Sequence, residues 1–120
     1  DVIHSDFLVD LKCVANASLH AFEKSVYEYG YHIQAAMQLE ALEAETGREV
    51  TDFLFVPIEK DEPHAMGIYP LSQSALDAGE EELYNLTKRL KKCFEENSWP
   101  SYQTDYARLP AWAQLNKSEI

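Results

Sequence analysis

The feature of this sequence that most constrains its fold is a short apolar run, residues 7–9, followed by Asp10-Leu11-Lys12. The run predicts a strand over residues 6–13, and side chains two positions apart on a strand lie on the same face of the sheet. Asp10 and Lys12 therefore share a face at the polar end of this strand. A carboxylate there can ligate a hard divalent cation, and a nearby ammonium group can hold water or offset charge on a phosphate. The same pattern is commoner at ordinary surface strand ends, so the pair alone does not establish a site for phosphodiester hydrolysis.

The rest of the first half of the chain predicts helices. Apolar residues recur at the helical period over residues 18–29 and 31–46, with Gly30 between the two segments. Gly47 stands just past the second segment, a position that glycine favours because it adopts the left-handed conformation of a helix end.

The second half predicts a further strand, a return strand and a last helix. The second half of residues 50–56 is apolar on both faces, as expected of a central strand, and Pro57 is predicted to end this strand or to mark an irregularity in it. A turn then leads to a return strand over residues 65–71. Ser74 is predicted to cap a long helix that runs to about residue 97. The whole chain reads as mixed α/β.

Length and composition favour a single domain. The chain has 120 residues, of which 46% are hydrophobic, enough to bury one core. The sequence contains no apolar run of the ~20 residues needed to span a membrane, and no membrane partner is expected. Cys13 and Cys93 have neither the spacing of a zinc site nor that of a disulfide framework, so a reducing cytoplasm is the simplest compartment.

The net charge of −11 opposes DNA binding at first sight, because phosphate contacts need Lys and Arg. A metal-dependent nuclease site is itself acidic, however, and a bound cation inverts the local field. The one concentrated basic group consists of Lys88, Arg89, Lys91 and Lys92. These residues either contact DNA or form the solvated face of a helix, and the second interpretation is the more common for such a pattern.

Several segments, taken in order, resemble one family. The run from Asp1 to Lys12 resembles the active-site hairpin of the PD-(D/E)xK nuclease superfamily. The tyrosine-rich segment that leads into Tyr31-His32-Ile33-Gln34, and a tail with Trp99-Pro100 and Leu109-Pro110-Ala111-Trp112, resemble the RecE-type exonuclease (exodeoxyribonuclease VIII) and its phage-encoded relatives. The resemblance covers nearly the whole chain. It implies a restriction-endonuclease-like fold, a mixed sheet flanked by helices, and a Mg²⁺-dependent 5′→3′ exonuclease that acts on double-stranded DNA ends in recombination.

The resemblance also implies roles for individual residues. Asp1 and Asp10 match the metal carboxylates, and the Leu11 carbonyl would complete the Mg²⁺ ligands, with Mn²⁺ as a substitute. Lys12 matches the catalytic lysine, which would place the attacking water. Gln34 matches the glutamine that opens the Gln-x-x-x-Tyr motif of RecB-like nucleases, and it would orient Lys12 or a phosphate.

The chain departs from the family pattern at three positions. Gln38 stands where the motif has tyrosine, and Cys13 and Val14 stand where the family usually has two threonines. All three positions are next to the predicted site, so these departures bear on activity more than on the fold.

The resemblance further implies that residues 1–120 are the C-terminal part of one nuclease domain, since such a core has a helix and one or two strands before this point. The implied partners are double-stranded DNA ends, further copies of the chain and a single-strand annealing recombinase, in the cytoplasm of a bacterial host or from a prophage. Two alternatives remain open. In the first, the chain is a catalytically degenerate or truncated relative that serves assembly or partner binding. In the second, it is a natural short protein with a coincidental motif.

Overall fold

Two long parallel strands at the centre of the sheet are connected by a pair of helices. The computed structural model describes residues 2–3, 6–102 and 104–113. In chain order the elements are β1 (Val2–Ile3), β2 (Phe7–Val14), α1 (Leu19–Tyr29), α2 (Tyr31–Thr46), β3 (Asp52–Glu59), β4 (Tyr69–Pro70), α3 (Gln73–Glu96) and a 3₁₀ turn (Ala111–Ala113). The described strands form one four-stranded sheet in the order β1-β2-β3-β4, with β2 parallel to β3 and the outer strands antiparallel to their neighbours. The predicted α/β class with a mixed sheet is confirmed.

The register of β2 and β3 decides which side chains face the core. Leu8 lies opposite Phe53, and Asp10 lies opposite Phe55. Because side chains alternate along a strand, all four point to the same face of the sheet. Phe53 is 1% exposed and Phe55 is fully buried, so this face is covered.

The core lies between this face of the sheet and the helices. Its buried members come from both central strands, from a residue two positions before β3 and from all three long helices: Leu8, Phe22, Ala35, Leu42, Val50, Phe53, Phe55 and Leu76. Aromatic rings fill its middle, with the Phe22 and Phe55 ring centroids 5.4 Å apart. Large buried rings of this kind contribute most of the apolar area that stabilises a small domain.

Gly30 ends α1 and begins α2. Its φ of 68° lies in the left-handed region, where a Cβ atom is unfavourable. Its N–H donates to the Val26 carbonyl, which closes α1. Its carbonyl accepts from the Gln34 N–H at 3.1 Å, which opens α2. One residue therefore sets the angle between the two helices, and the predicted break at this position is confirmed.

Helix α3 packs closely against the start of α2. A Cβ built on Gly79 would lie 2.3 Å from the His32 carbonyl oxygen, so only glycine permits this approach. Next to this contact, the Nδ1 atom of His32 is buried and has no hydrogen-bond partner within the described ranges. The contact joins α3 to the helix turn that carries residues 31–34.

The structure differs from the predicted strands in two places. Pro57, predicted to end a strand or to mark an irregularity in it, does not end β3 but lies inside it and is buried. The Pro57 carbonyl accepts from the Gly67 N–H at 3.1 Å, on the side of β3 that faces β4. Because the N–H and the carbonyl of a strand residue point to the same side, the N–H that proline lacks would also have faced β4, where pairing is short. The hydrogen bonds between β3 and β2 are unaffected. Of the predicted return strand over residues 65–71, only Tyr69–Pro70 forms a strand. Pro57 has no N–H to donate across this edge, so the pairing is interrupted next to it.

The last helix begins earlier than predicted. Ser72 is its N-cap, since the Ser72 hydroxyl accepts from the Ala75 N–H at 3.2 Å. Ser74, the predicted cap, lies inside the first turn, and its hydroxyl is 3.2 Å from that of Ser72. Either serine suits a cap chemically, and the backbone geometry selects the first. No helix in the described part of the chain has the length and apolar character needed to cross a membrane.

Candidate active site

Asp10 is a carboxylate buried on the helix-covered face of the sheet. It is 3% exposed and lies opposite Phe55, which is fully buried. A charged group so placed is costly to bury unless other groups pair with it and donate hydrogen bonds. The neighbours of Asp10 therefore decide what this part of the sheet can do.

Asp10, Lys12 and Gln34 form a closed triangle of polar contacts. The Lys12 Nζ atom lies 2.8 Å from Asp10 Oδ2 and donates to Gln34 Oε1 at 2.9 Å. Gln34 Nε2 donates to the same Asp10 Oδ2 at 3.2 Å. The amide thus uses its oxygen on the ammonium and its nitrogen on the carboxylate. Charge-assisted contacts of this kind are shorter and stronger than neutral ones, and they offset the cost of burying the carboxylate.

Two features of α2 bring Gln34 to β2. Gly30 redirects the chain, so Gln34 falls in the first turn of the new helix. Ala35 and Ala36 are 0% and 1% exposed, and such small side chains allow a helix to lie close to a sheet. The neighbouring amide is consequently within hydrogen-bond distance of both charged groups.

The Lys12 ammonium also lies over the ring of Tyr31, with Nζ 4.4 Å from the ring centroid. The sequence did not indicate this contact, because the tyrosines at 27, 29 and 31 suggest packing or DNA contact. Tyr31 and Gln34 are three residues apart and so occupy the same side of α2. That spacing is the one signal in the sequence that links Tyr31 to Gln34.

The two remaining predicted metal ligands have different outcomes. Asp1 lies outside the described residues. The Leu11 side chain is 55% exposed, on the face of the sheet opposite Asp10. The Val14 carbonyl accepts from the Lys60 N–H at 3.0 Å, so it points towards β3 and the residue that follows it. Carbonyls of successive strand residues point to alternate edges, and Leu11 is three residues before Val14, so the Leu11 carbonyl points to the other edge of β2. That edge is the one along which β1 pairs with residues 8 and 9.

The departures from the family pattern lie in different places around the triangle. Cys13 is exposed on the face of the sheet opposite Asp10, whereas Val14 is partly buried on the same face as Asp10 and Lys12. Gln38 lies one helical turn after Gln34 and is partly buried. The departures at 14 and 38 are thus the two that border the site.

The triangle contains one carboxylate, that of Asp10, which is the kind of group that ligates hard cations. Within the described ranges, no three His, Cys, Asp or Glu side chains converge closely enough to hold a metal ion. Mg²⁺ prefers oxygen ligands and keeps several waters, so one or two protein carboxylates are enough to hold it. The buried Asp10 carboxylate and the Leu11 carbonyl match this preference in chemistry.

The four predicted DNA-contacting residues lie on the exposed second half of α3. The Lys88 ammonium lies 5.5 Å from the Tyr84 ring centroid, and Lys91 Nζ is 3.9 Å from a Glu95 oxygen, both within the helix. Arg89 and Lys92 are exposed beside them. The polar contacts of Asp10 in the described structure come from β2 and α2 and involve none of these four.

A family model described as "PDDEXK-like domain of unknown function (DUF3799)" matches residues 1–110, and the chain belongs to this family. No curated protein matches the chain. The predicted membership of the PD-(D/E)xK nucleases is thereby confirmed at the level of the superfamily.

A crystal structure of a protein from Eubacterium rectale, described as a "Putative exonuclease", has a similar fold. The TM-score is 0.61 at 18% sequence identity, over 88% of this chain and 47% of that one. The chain therefore spans about half the length of that structure. At this identity the likeness concerns the fold alone, and it agrees with the predicted restriction-endonuclease-like architecture.

Proposed function

We propose that this member of the PDDEXK-like family is a metal-dependent deoxyribonuclease with its reaction centre at Asp10, Lys12 and Gln34. The observation that carries the proposal is the closed triangle of contacts at 2.8, 2.9 and 3.2 Å around a buried carboxylate. The amide helps to offset the cost of burying the two charges, and it also fixes the ammonium relative to the carboxylate before any substrate binds, as a hydrolytic centre requires.

Each residue would have a separate task in phosphodiester hydrolysis. Asp10, with the Leu11 carbonyl and Asp1, would hold Mg²⁺ or Mn²⁺, which supplies charge neutralisation at the phosphate. Lys12 would donate a hydrogen bond to the attacking water or to a phosphate oxygen. Gln34 would hold the Lys12 ammonium beside the Asp10 carboxylate, so that the ammonium does not extend into solvent.

The finer assignment is an exonuclease of the RecE type, acting 5′→3′ on double-stranded DNA ends in phage-type recombination. The order of the sequence motifs supports it, and so does the description of the Eubacterium rectale protein as a "Putative exonuclease". By the same resemblance the protein would assemble with further copies of itself and act together with a single-strand annealing recombinase. Lys88, Arg89, Lys91 and Lys92 would contact the DNA phosphates.

A nuclease assay on purified protein tests the proposal. Linear duplex DNA should release acid-soluble nucleotides in the presence of Mg²⁺ or Mn²⁺, and this release should stop in excess chelator. Covalently closed circular DNA is the matched control, and it should stay intact if the enzyme needs an end. Label at the 5′ end should be released before label at the 3′ end if the direction is 5′→3′.

The outcomes separate the proposal from its alternative. Cleavage of circular DNA would support a nuclease and refute the exonuclease assignment. Duplex binding without cleavage under every metal condition would refute the catalytic proposal and favour a degenerate relative that serves assembly or partner binding.

A further inference from the structure

The ring of Tyr31 contacts the ammonium group that the proposed reaction depends on. The Lys12 Nζ atom is 4.4 Å from the ring centroid, and the Lys12 side chain is 19% exposed. A cation at this distance over an aromatic face is attracted by the negative charge of the ring face, and the attraction is stronger where water is partly excluded. Lys12 therefore has a third contact, with a ring face, besides its contacts with Asp10 and Gln34.

The contact with the ring differs in kind from the other two contacts. Lys12 and Gln34 both reach Asp10 through the single oxygen Oδ2. Any divalent cation that shares the charge of this carboxylate weakens its attraction for the ammonium. The attraction of the Tyr31 ring does not depend on the charge of Asp10. It would keep the ammonium in place when the carboxylate has another positive partner.

The packing around Tyr31 fixes the position of its ring. The Phe55 centroid is 5.8 Å away, the Phe22 centroid is 5.9 Å away, and Tyr29 stacks at 5.7 Å. Tyr31 is also the first residue of α2, directly after the left-handed Gly30. A ring held by core side chains and by a helix start offers the ammonium a rigid surface.

We infer that Tyr31 is a positioning residue, whose ring face holds the Lys12 ammonium beside the proposed reaction centre. The inference rests on the proposed nuclease function for its catalytic consequence, and on the geometry alone for the contact. It concerns the ring face and not the phenol group, so phenylalanine at this position should act as tyrosine does.

A fluorination series at position 31 tests the inference. Tyr31 is replaced by phenylalanine and then by phenylalanines with one, two and three ring fluorines, which weaken the negative ring face and leave its shape nearly unchanged. Turnover on linear duplex DNA should fall stepwise, to about a tenth at three fluorines, with KM and Mn²⁺ affinity unchanged. A purely structural ring would give a flat series.

A second readout does not require activity. The Tyr31 ring current should move the ε-methylene proton signals of Lys12 upfield of those of other lysines, and Tyr31→Leu should abolish this displacement. Tyr27→Leu is the matched control, because Tyr27 is 83% exposed and lies on the neighbouring helix. It should leave the Lys12 signals unchanged.

The two readouts distinguish failure of the inference from failure of the proposed function. A flat fluorination series in an active enzyme, or Lys12 signals that do not respond to Tyr31→Leu, would overturn the inference. A protein without nuclease activity whose Lys12 signals do respond would retain the positioning contact and refute only the proposed function.

Discussion

Replacing Gly79 with alanine should destabilise the protein and displace the helix turn that carries the candidate site. The new Cβ would lie 2.3 Å from the His32 carbonyl oxygen and 2.7 Å from its carbon, both backbone atoms that cannot rotate away. Comfortable contacts are about 3.5 Å, so α2 and α3 would have to separate by roughly 1 Å. Overpacking of this kind costs about 1–3 kcal/mol, and the better helix propensity of alanine returns about 1 kcal/mol.

The net loss in the free energy of unfolding should be about 0–2 kcal/mol, which lowers the melting temperature by up to roughly 10 °C in a domain of this size. Thermal unfolding followed by circular dichroism measures the change. Ala78→Gly is the matched control, since Ala78 is the exposed neighbour on the same helix and should report helix propensity alone. A Gly79→Ala protein that melts above the wild type would refute the close approach of the two helices.

Three further predictions concern the polar triangle. Asp10→Ala should abolish Mn²⁺ binding and hydrolysis, because too few fixed oxygens remain, and calorimetry with unchanged Mn²⁺ affinity would contradict the assignment. Lys12→Ala should lower turnover by roughly a hundredfold or more while DNA and metal affinity stay nearly constant; a rate close to that of the wild type would make Lys12 an ordinary strand end. Gln34→Leu should lower turnover by about tenfold with little change in Mn²⁺ affinity, since two hydrogen bonds that position Lys12 and Asp10 are lost. A loss of metal affinity equal to that of Asp10→Ala would mean that Gln34 acts as a ligand.

The helices were the most predictable part of this fold. The bounds of α2 follow from Gly30 and Gly47, whose φ values are 68° and 72°. Glycine favours this left-handed conformation at helix ends, so the two positions can be predicted from the local sequence. The bounds of the strands depend on which other strands they pair with, and the local sequence does not show this. Pro57 is tolerated inside β3 because its missing N–H falls on the β4 side, and no pattern within the strand reveals which side that is.

The candidate site divides in the same way. The spacing of Asp10 and Lys12 predicts a shared face, and the structure has both side chains 2.8 Å apart on it. The inclusion of Gln34 came from family resemblance, because the crossing of α2 over β2 is a tertiary feature with no local signal. For the same reason the sequence suggests only packing or DNA contact for Tyr31, although the spacing of Tyr31 and Gln34 places both on one side of the helix.

The candidate site and the hydrophobic core share side chains, so neither can change alone. Phe55 lies opposite Asp10 in the sheet and contacts the Tyr31 ring, which in turn lies under the Lys12 ammonium. A smaller residue at 55 would leave a cavity beneath both the carboxylate and the ring. The distance between ring and ammonium is thus set by core volume as well as by charge. Sequence changes in the core of related chains should therefore alter the rate of the proposed hydrolysis even where the residues of the triangle are retained.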